Sequence, residues 1–221
     1  MSAERRPWVV GVSGASGTPY AAAVLRGLLD AGCAVDLVVS RAARLTILDE
    51  AGVSFRDNAW RADLGSWLGR DVAAADVRYW PAGDLAAGPS SGSYPARGMV
   101  VVPASTAAVA GIAVGLSKDL LQRAADVTLK ERRPLVVVPR EAPLTRTTIA
   151  HLLTLADAGA VVLPASPAFY AGASDVGALV DFVAGKVLDV IGVRHDLYRR
   201  WRGRLGAARE GGESLPEQPT D

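Results

Sequence analysis

Between Lys118 and Glu141 the chain places six basic and four acidic residues, although its net charge over 221 residues is only +1. Charge at that density is either solvated or arranged around a charged ligand, because a buried charge without a partner is costly. Arg123, Asp126 and Lys130 are spaced i, i+3, i+7 and share one face of any helix that contains them. The apolar run that follows delivers Arg140 and Glu141. Cations around one pocket suit a phosphate, and a carboxylate beside them can hold or move a proton. The same spacing also describes a solvated ion-pair stripe, and these residues alone leave the choice open.

Two small-residue turns are the second signal. Ser13-Gly14-Ala15-Ser16-Gly17 and Ser105-Thr106 each follow an apolar run and open a helical pattern. Free N–H groups and the helix dipole at such a turn favour an anion. Glycines at 11, 14 and 17 give G-x-x-G-x-x-G rather than the dinucleotide G-x-G-x-x-G. Two turns at neighbouring strand ends point to a mononucleotide, while a tight turn with no ligand is the plain alternative for either. Tyr170, in the loop PAFYAG, and Lys186, among Val180, Val183, Val187 and Val190, are either boundary side chains or anion ligands.

Other chemistries find less support. Neither Ser13 nor Ser16 sits in G-x-S-x-G, and His151 and His195 are the only candidate bases, which disfavours a Ser-His-Asp hydrolase. No His, Cys, Asp or Glu cluster has ligand spacing, so no metal is expected. Cys33 stands alone in an apolar run and is expected in the core.

The elements that must position these residues follow from periodicity and breakers. Strands are expected at Trp8–Val12, Cys33–Val39, Val77–Trp80, Met99–Val102, Leu135–Val138 and Val161–Leu163. Helices are expected from Thr18 with Thr18 as cap, from Ser40, over Leu64–Val72, after Thr106, from a Ser117 cap, from Pro143 to Asp157, and from Ser174 to about Ile191. A Gly-, Pro- and Ser-rich stretch before Met99 reads as a long loop, and such loops are usually functional. The alternation implies an α/β, doubly wound, mainly parallel sheet of about six strands, with ligands beyond the strands' carboxyl ends. One domain is expected over residues 1–202, with a polar, disordered tail over 203–221. The near-neutral charge gives no footprint for nucleic acid or a membrane surface, and no apolar signal core precedes Trp8, so a cytoplasmic protein is expected.

With these residues in place, the chain resembles the flavin prenyltransferases of the UbiX type. The resemblance runs from about Val9 to Val193. It is densest in GASG at Gly14–Gly17, SGS at Ser91–Ser93, RAADVTLKERRPLVVVPREAP from Arg123 and GAVVLPASPAFY from Gly159. It implies a flavodoxin-like or Rossmann-like fold that binds FMN. It also implies transfer of a dimethylallyl group from dimethylallyl monophosphate to reduced FMN, forming bonds at flavin N5 and C6 without a metal. Prenylated FMN would then serve a UbiD-type decarboxylase, and the assembly would be a homododecamer with sites at subunit contacts. By the same resemblance Gly14, Ala15, Ser16, Ser40, Ser105, Thr106, Ala107, Ala108 and Arg140 are expected to bind FMN. Ser91, Gly92, Ser93, Arg123, Lys130, Tyr170 and Lys186 are expected around the prenyl phosphate. Glu50, Glu141, Lys130 and Ser16 are expected to be catalytic, and Trp201 to be an aromatic neighbour. Arg132 and Arg133 are assigned to structure or surface. A related cysteine-type decarboxylase shares Pro103-Ala104-Ser105, but the segment Ala42–Glu50 lacks the histidine that chemistry needs. A flavin carrier without chemistry is the other alternative.

Overall fold

The structure is a computed structural model that describes residues 5–171 and 173–201. Six parallel strands form one sheet: β1 (Trp8–Val12), β2 (Val35–Val39), β3 (Val77–Pro81), β4 (Gly98–Ala104), β5 (Leu135–Pro139) and β6 (Val161–Val162). Their order is β3-β2-β1-β4-β5-β6. The chain winds outward through β2 and β3, then returns past β1 to build the other half. The direction therefore reverses between β1 and β4, and that reversal opens a crevice beyond their carboxyl ends.

The strands are apolar on both faces, as parallel strands covered by two helix layers must be. Side chains alternate cleanly between the layers. Val10, Val12, Leu37, Val100 and Val136 pack with α1 (Thr18–Asp30), α2 (Arg41–Ala51), α3 (Trp60–Leu68) and α7 (Val176–Val190). Val9, Val38, Met99, Val101 and Val137 pack with α4 (Thr106–Ala113), α5 (Leu120–Lys130) and α6 (Arg146–Asp157). Hence α5 and α7 lie on opposite faces of the sheet.

Several expected boundaries move, each for a local reason. Gly17, at φ 113°, rather than Thr18, is the N-cap of α1. Asp119 rather than Ser117 caps α5, its carboxylate accepting from the Gln122 N–H at 2.9 Å. Thr145 caps α6, whereas Pro143 stands before the helix in a bend. The helix expected over 64–72 is Trp60–Leu68, ended by Gly69 in the left-handed region. Ala34 and Cys33 precede β2 instead of joining it, and the loop before β4 contains a 3-10 turn at Gly88–Ser90. The tail over 203–221 lies outside the described residues.

One polar group is buried inside the sheet. The Asp36 side chain, fully buried in β2, accepts from the Arg5 guanidinium at 2.6 Å, Trp80 Nε1 at 3.0 Å and the Tyr94 hydroxyl at 2.7 Å. Burial and the neighbouring carboxylate push the Tyr94 phenol up to about 12. This hub ties the chain's amino-terminal arm, β2, β3 and the long loop together, and leaves the buried charge fully partnered.

Candidate functional site at the carboxyl edge

Four turns meet at the crevice. After β1 comes Ser13–Gly17, after β2 Ser40, after β4 Ser105–Thr106, and after β5 Arg140-Glu141. A buried serine joins the first and third. Ser13, 3% exposed, donates its hydroxyl to the Pro103 carbonyl and accepts the Ser105 N–H, both at 2.7 Å. One side chain thus locks the ends of β1 and β4 across the point where strand order reverses. The sequence placed Ser13 in the turn without giving it this role.

The helices that start at this edge have differently occupied N-termini. Ser40 and Ser105 cap α2 and α4 by accepting the N–H of Ala43 at 3.1 Å and of Ala108 at 3.2 Å. The start of α1 is taken instead by Glu50, at the far end of α2. Its carboxylate accepts from Gly17 N at 3.0 Å, Thr18 N at 2.8 Å and the Thr18 hydroxyl at 2.7 Å. Burial pushes the Glu50 carboxyl up, but hydrogen bonds from Thr18, Ser16 and the two amides outweigh it and hold it below the ordinary value. Glu50 is therefore an ionised anchor in this arrangement, already filling one anion cradle.

Arg140 reaches across the crevice. Its Nε donates to the Ser16 carbonyl at 2.9 Å, and its own N–H to Ala104 at 3.3 Å, so it spans the turns after β1 and β4. Glu141 is exposed beside it, one carboxylate oxygen accepting the Ala142 N–H at 3.0 Å. Gly14 is packed so closely on α2 that a Cβ would lie 2.4 Å from Ala42 Cβ. The side chains of Ser16 and Ala107 are open to solvent, and those of Ser40, Ser105 and Thr106 partly so, while Ala15 and Ala108 are buried. Hydroxyls, free helical N–H groups and a guanidinium around a rim of small side chains fit a flat ligand that carries a phosphate, as FMN does.

The remaining residues divide between two other places. On α5, Arg123 pairs with Asp126 at 2.8 Å and donates to the Ser90 carbonyl at 3.1 Å. Lys130 pairs with Glu131 and sits against Gly92, where a Cβ would come within 2.7 Å of the ammonium nitrogen. Arg133 fixes that loop by donating to the Gly92 and Tyr94 carbonyls, each at 2.7 Å, and the Ser91 and Ser93 hydroxyls lie 3.0 Å apart. Ser91–Ser93, Arg123 and Lys130 are therefore one cluster. It does not gather around one pocket with Arg140, because Lys130 precedes β5 and Arg140 follows it. The length of a five-residue strand, about 17 Å, separates them.

The second place is α7. Lys186 is exposed, 3.9 Å from Asp189, and the Tyr170 ring meets Phe182 at 5.8 Å and Trp201 at 5.9 Å, edge to face. Tyr170, Lys186 and Trp201 thus form a group in the helix layer opposite α5.

Similarity to known proteins covers most of the chain. The family model described as Flavoprotein matches residues 1–188. A flavin prenyltransferase UbiX of Streptomyces coelicolor is 69% identical over 215 residues, covering 93% of this chain and all of the relative. Among solved structures, AnUbiX (PadA1) in complex with FMN and dimethylallyl pyrophosphate superposes with a TM-score of 0.80 at 35% identity, covering 91% of this chain and 100% of the other. A dodecameric FMN-dependent UbiX-like decarboxylase from Escherichia coli O157:H7 superposes at 0.78 with 36% identity, covering 89% of this chain and 100% of the other.

Proposed function

The chain belongs to the Flavoprotein family, and from its likeness to the flavin prenyltransferases within it we propose that it joins the dimethylallyl group of dimethylallyl monophosphate to reduced FMN. The observation that carries this reading is the crevice between β1 and β4, built from small turns, capping hydroxyls and Arg140. The matching fold in AnUbiX was solved with FMN and dimethylallyl pyrophosphate.

Gly14, Ala15, Ser16, Ser40, Ser105, Thr106, Ala107, Ala108 and Arg140 would hold FMN. Bound in reduced form, it supplies the nucleophilic positions N5 and C6. The chain's own work is electrostatic. As the allylic C–O bond breaks, negative charge grows on the departing phosphate, and Arg123, Lys130, Tyr170 and Lys186 stabilise it. The Trp201 face and nearby carboxylates favour positive charge on the allyl group. Glu141, exposed and one residue beyond Arg140, accepts or returns the proton of the transfer. Glu50 orders the Ser16–Thr18 turn and keeps that cradle anionic.

The phosphate ligands lie on both faces of the sheet, so one chain does not bring them to a single point. Copies of the chain would share each site, in a homo-oligomer for which we propose the dodecamer. Exposed Leu144, Ile149, Leu153 and Val161, around α6 and the edge strand β6, are apolar surface suited to burial between copies. A cytoplasmic location and a UbiD-type decarboxylase receiving the prenylated FMN complete the proposal. The test is anaerobic incubation with reduced FMN and either dimethylallyl monophosphate or the diphosphate, followed by mass analysis of the flavin. A flavin heavier by one C5 unit with the monophosphate is expected. Bound but unmodified FMN with both donors would sink the reading.

A further inference from the structure

The segment that follows α7 folds back along it, and a single carboxylate organises the fold-back. Asp189 accepts from His195 Nε2 at 3.0 Å, from the Tyr198 hydroxyl and from the Arg200 guanidinium at 2.8 Å. The Leu197 N–H donates to His195 Nδ1 at 3.2 Å, which leaves Nε2 as the nitrogen that carries hydrogen toward Asp189. Gly185 makes the close approach possible, since a Cβ there would stand 2.5 Å from the Tyr198 ring and 2.7 Å from His195. The Tyr198 ring continues onto Phe182 at 4.8 Å, and Phe182 onto Tyr170. Burial raises the Asp189 carboxyl, but hydrogen bonds from Arg200, Tyr198 and His195 overcome this and hold it at about 2.

The arrangement brings two cations to one carboxylate. Lys186 and Arg200 bracket Asp189 from different elements, one on α7 and one on the returning segment. Arg200 donates through one terminal nitrogen, and its guanidinium carbon lies 5.5 Å from the centre of the Tyr198 ring. No acceptor among the described residues takes its Nε or Nη1, and a groove of about 360 Å³, lined by Arg194, His195, Asp196 and Arg200, opens beside it. Its neighbour in sequence, Trp201, is the residue whose ring meets Tyr170.

We propose that Arg200 is a further anion-binding residue for the prenyl phosphate, acting with Lys186 and Tyr170, and that Asp189 is the positioning residue that aims it. This rests on the prenyltransferase reading and deepens it. Asp189 and Asp196 offset two of the three positive charges of Lys186, Arg194 and Arg200, so the cluster keeps a net cation for the incoming phosphate. The planar guanidinium adds paired donors that an ammonium lacks. Because Asp189 also holds the whole returning segment, it fixes Trp201 against Tyr170 at the same time.

The test is steady-state prenylation of reduced FMN by the full-length assembly, comparing wild type with Arg200→Ala, Arg200→Lys and Asp189→Asn. FMN affinity and melting temperature are measured on each. Arg200→Ala should raise KM for the prenyl phosphate about tenfold or more with FMN affinity unchanged, and Arg200→Lys should recover part of the loss. Asp189→Asn should raise the same KM by a smaller factor, since the side chain keeps its shape and loses its charge. A wild-type KM in Arg200→Ala would overturn the proposal, as would a loss of FMN binding as large as the change in KM. A wild type that leaves the flavin unmodified would instead remove the prenyltransferase reading, and this inference with it.

Discussion

The carboxyl-edge crevice and the cation clusters on α5 and α7 are built on different principles. The crevice is completed within one chain, by backbone and short side chains locked at strand ends. Ser13 ties β1 to β4, Glu50 caps α1, and Arg140 bridges two turns. The cation clusters stand on long side chains in opposite helix layers: on α5 Arg123 and Lys130 each have a carboxylate of their own, whereas Lys186 and Arg200 share Asp189. A rigid planar ligand needs the first kind of surface. A leaving phosphate needs the second kind, and one chain supplies it only in separated pieces.

The largest effect that would break this division is on chemistry without binding. Lys130→Ala should lower prenyl transfer about 100-fold while FMN affinity stays within a few-fold of wild type, measured by single-turnover flavin spectra and by titration. Equal losses in both would mean that α5 belongs to the flavin end. Next in size is Ser13→Ala. It removes the acceptor of the part-buried Ser105 N–H and should cost about 1–3 kcal/mol in urea unfolding, with weaker FMN binding, while Ser13→Thr keeps the hydroxyl and should restore both.

Glu50 sharpens the comparison through pH. Its carboxyl titrates lower in the folded protein than its ordinary value, so its contribution to stability is present above pH 4.5 and is lost as pH falls through the folded value. Melting temperature should therefore drop on acidification below 4.5, and Glu50→Gln should flatten that part of the profile. The expected size is about 0.5–1 kcal/mol, in keeping with a carboxylate at a helix N-terminus. The smallest effect is at Arg133. Arg133→Ala removes two hydrogen bonds to the Ser91–Tyr94 loop and should speed amide exchange there, leaving the strands unchanged.

The sheet was legible because its strands are continuous apolar runs, and the turns because glycine and serine mark them. Boundaries moved where a competing cap was chemically better placed, as at Asp119, or where a residue far away in sequence did the capping. Glu50 at the start of α1 has no local signature, because the bond closes over 32 residues. Ser13 and Asp189 were hidden for the same reason. Their types are ordinary, and only the reversal of strand order and the fold-back after α7 give them partners. Period and spacing correctly put Arg123, Asp126 and Lys130 on one face. They could not reveal that Arg140 stands at the other end of β5, since adjacency in sequence across a strand means separation by its length.

The separation of the proposed phosphate ligands into two helix layers can be tested by mixing subunits. Lys130→Ala and Lys186→Ala are each expected to be nearly inactive as homogeneous assemblies. Co-assembled from equal amounts of the two chains, they should regain prenyl transfer, because some sites would draw both lysines from unmutated copies. A mixed assembly as inactive as its parents would contradict a site shared between copies, and would require Lys130 and Lys186 of one chain to serve the same phosphate.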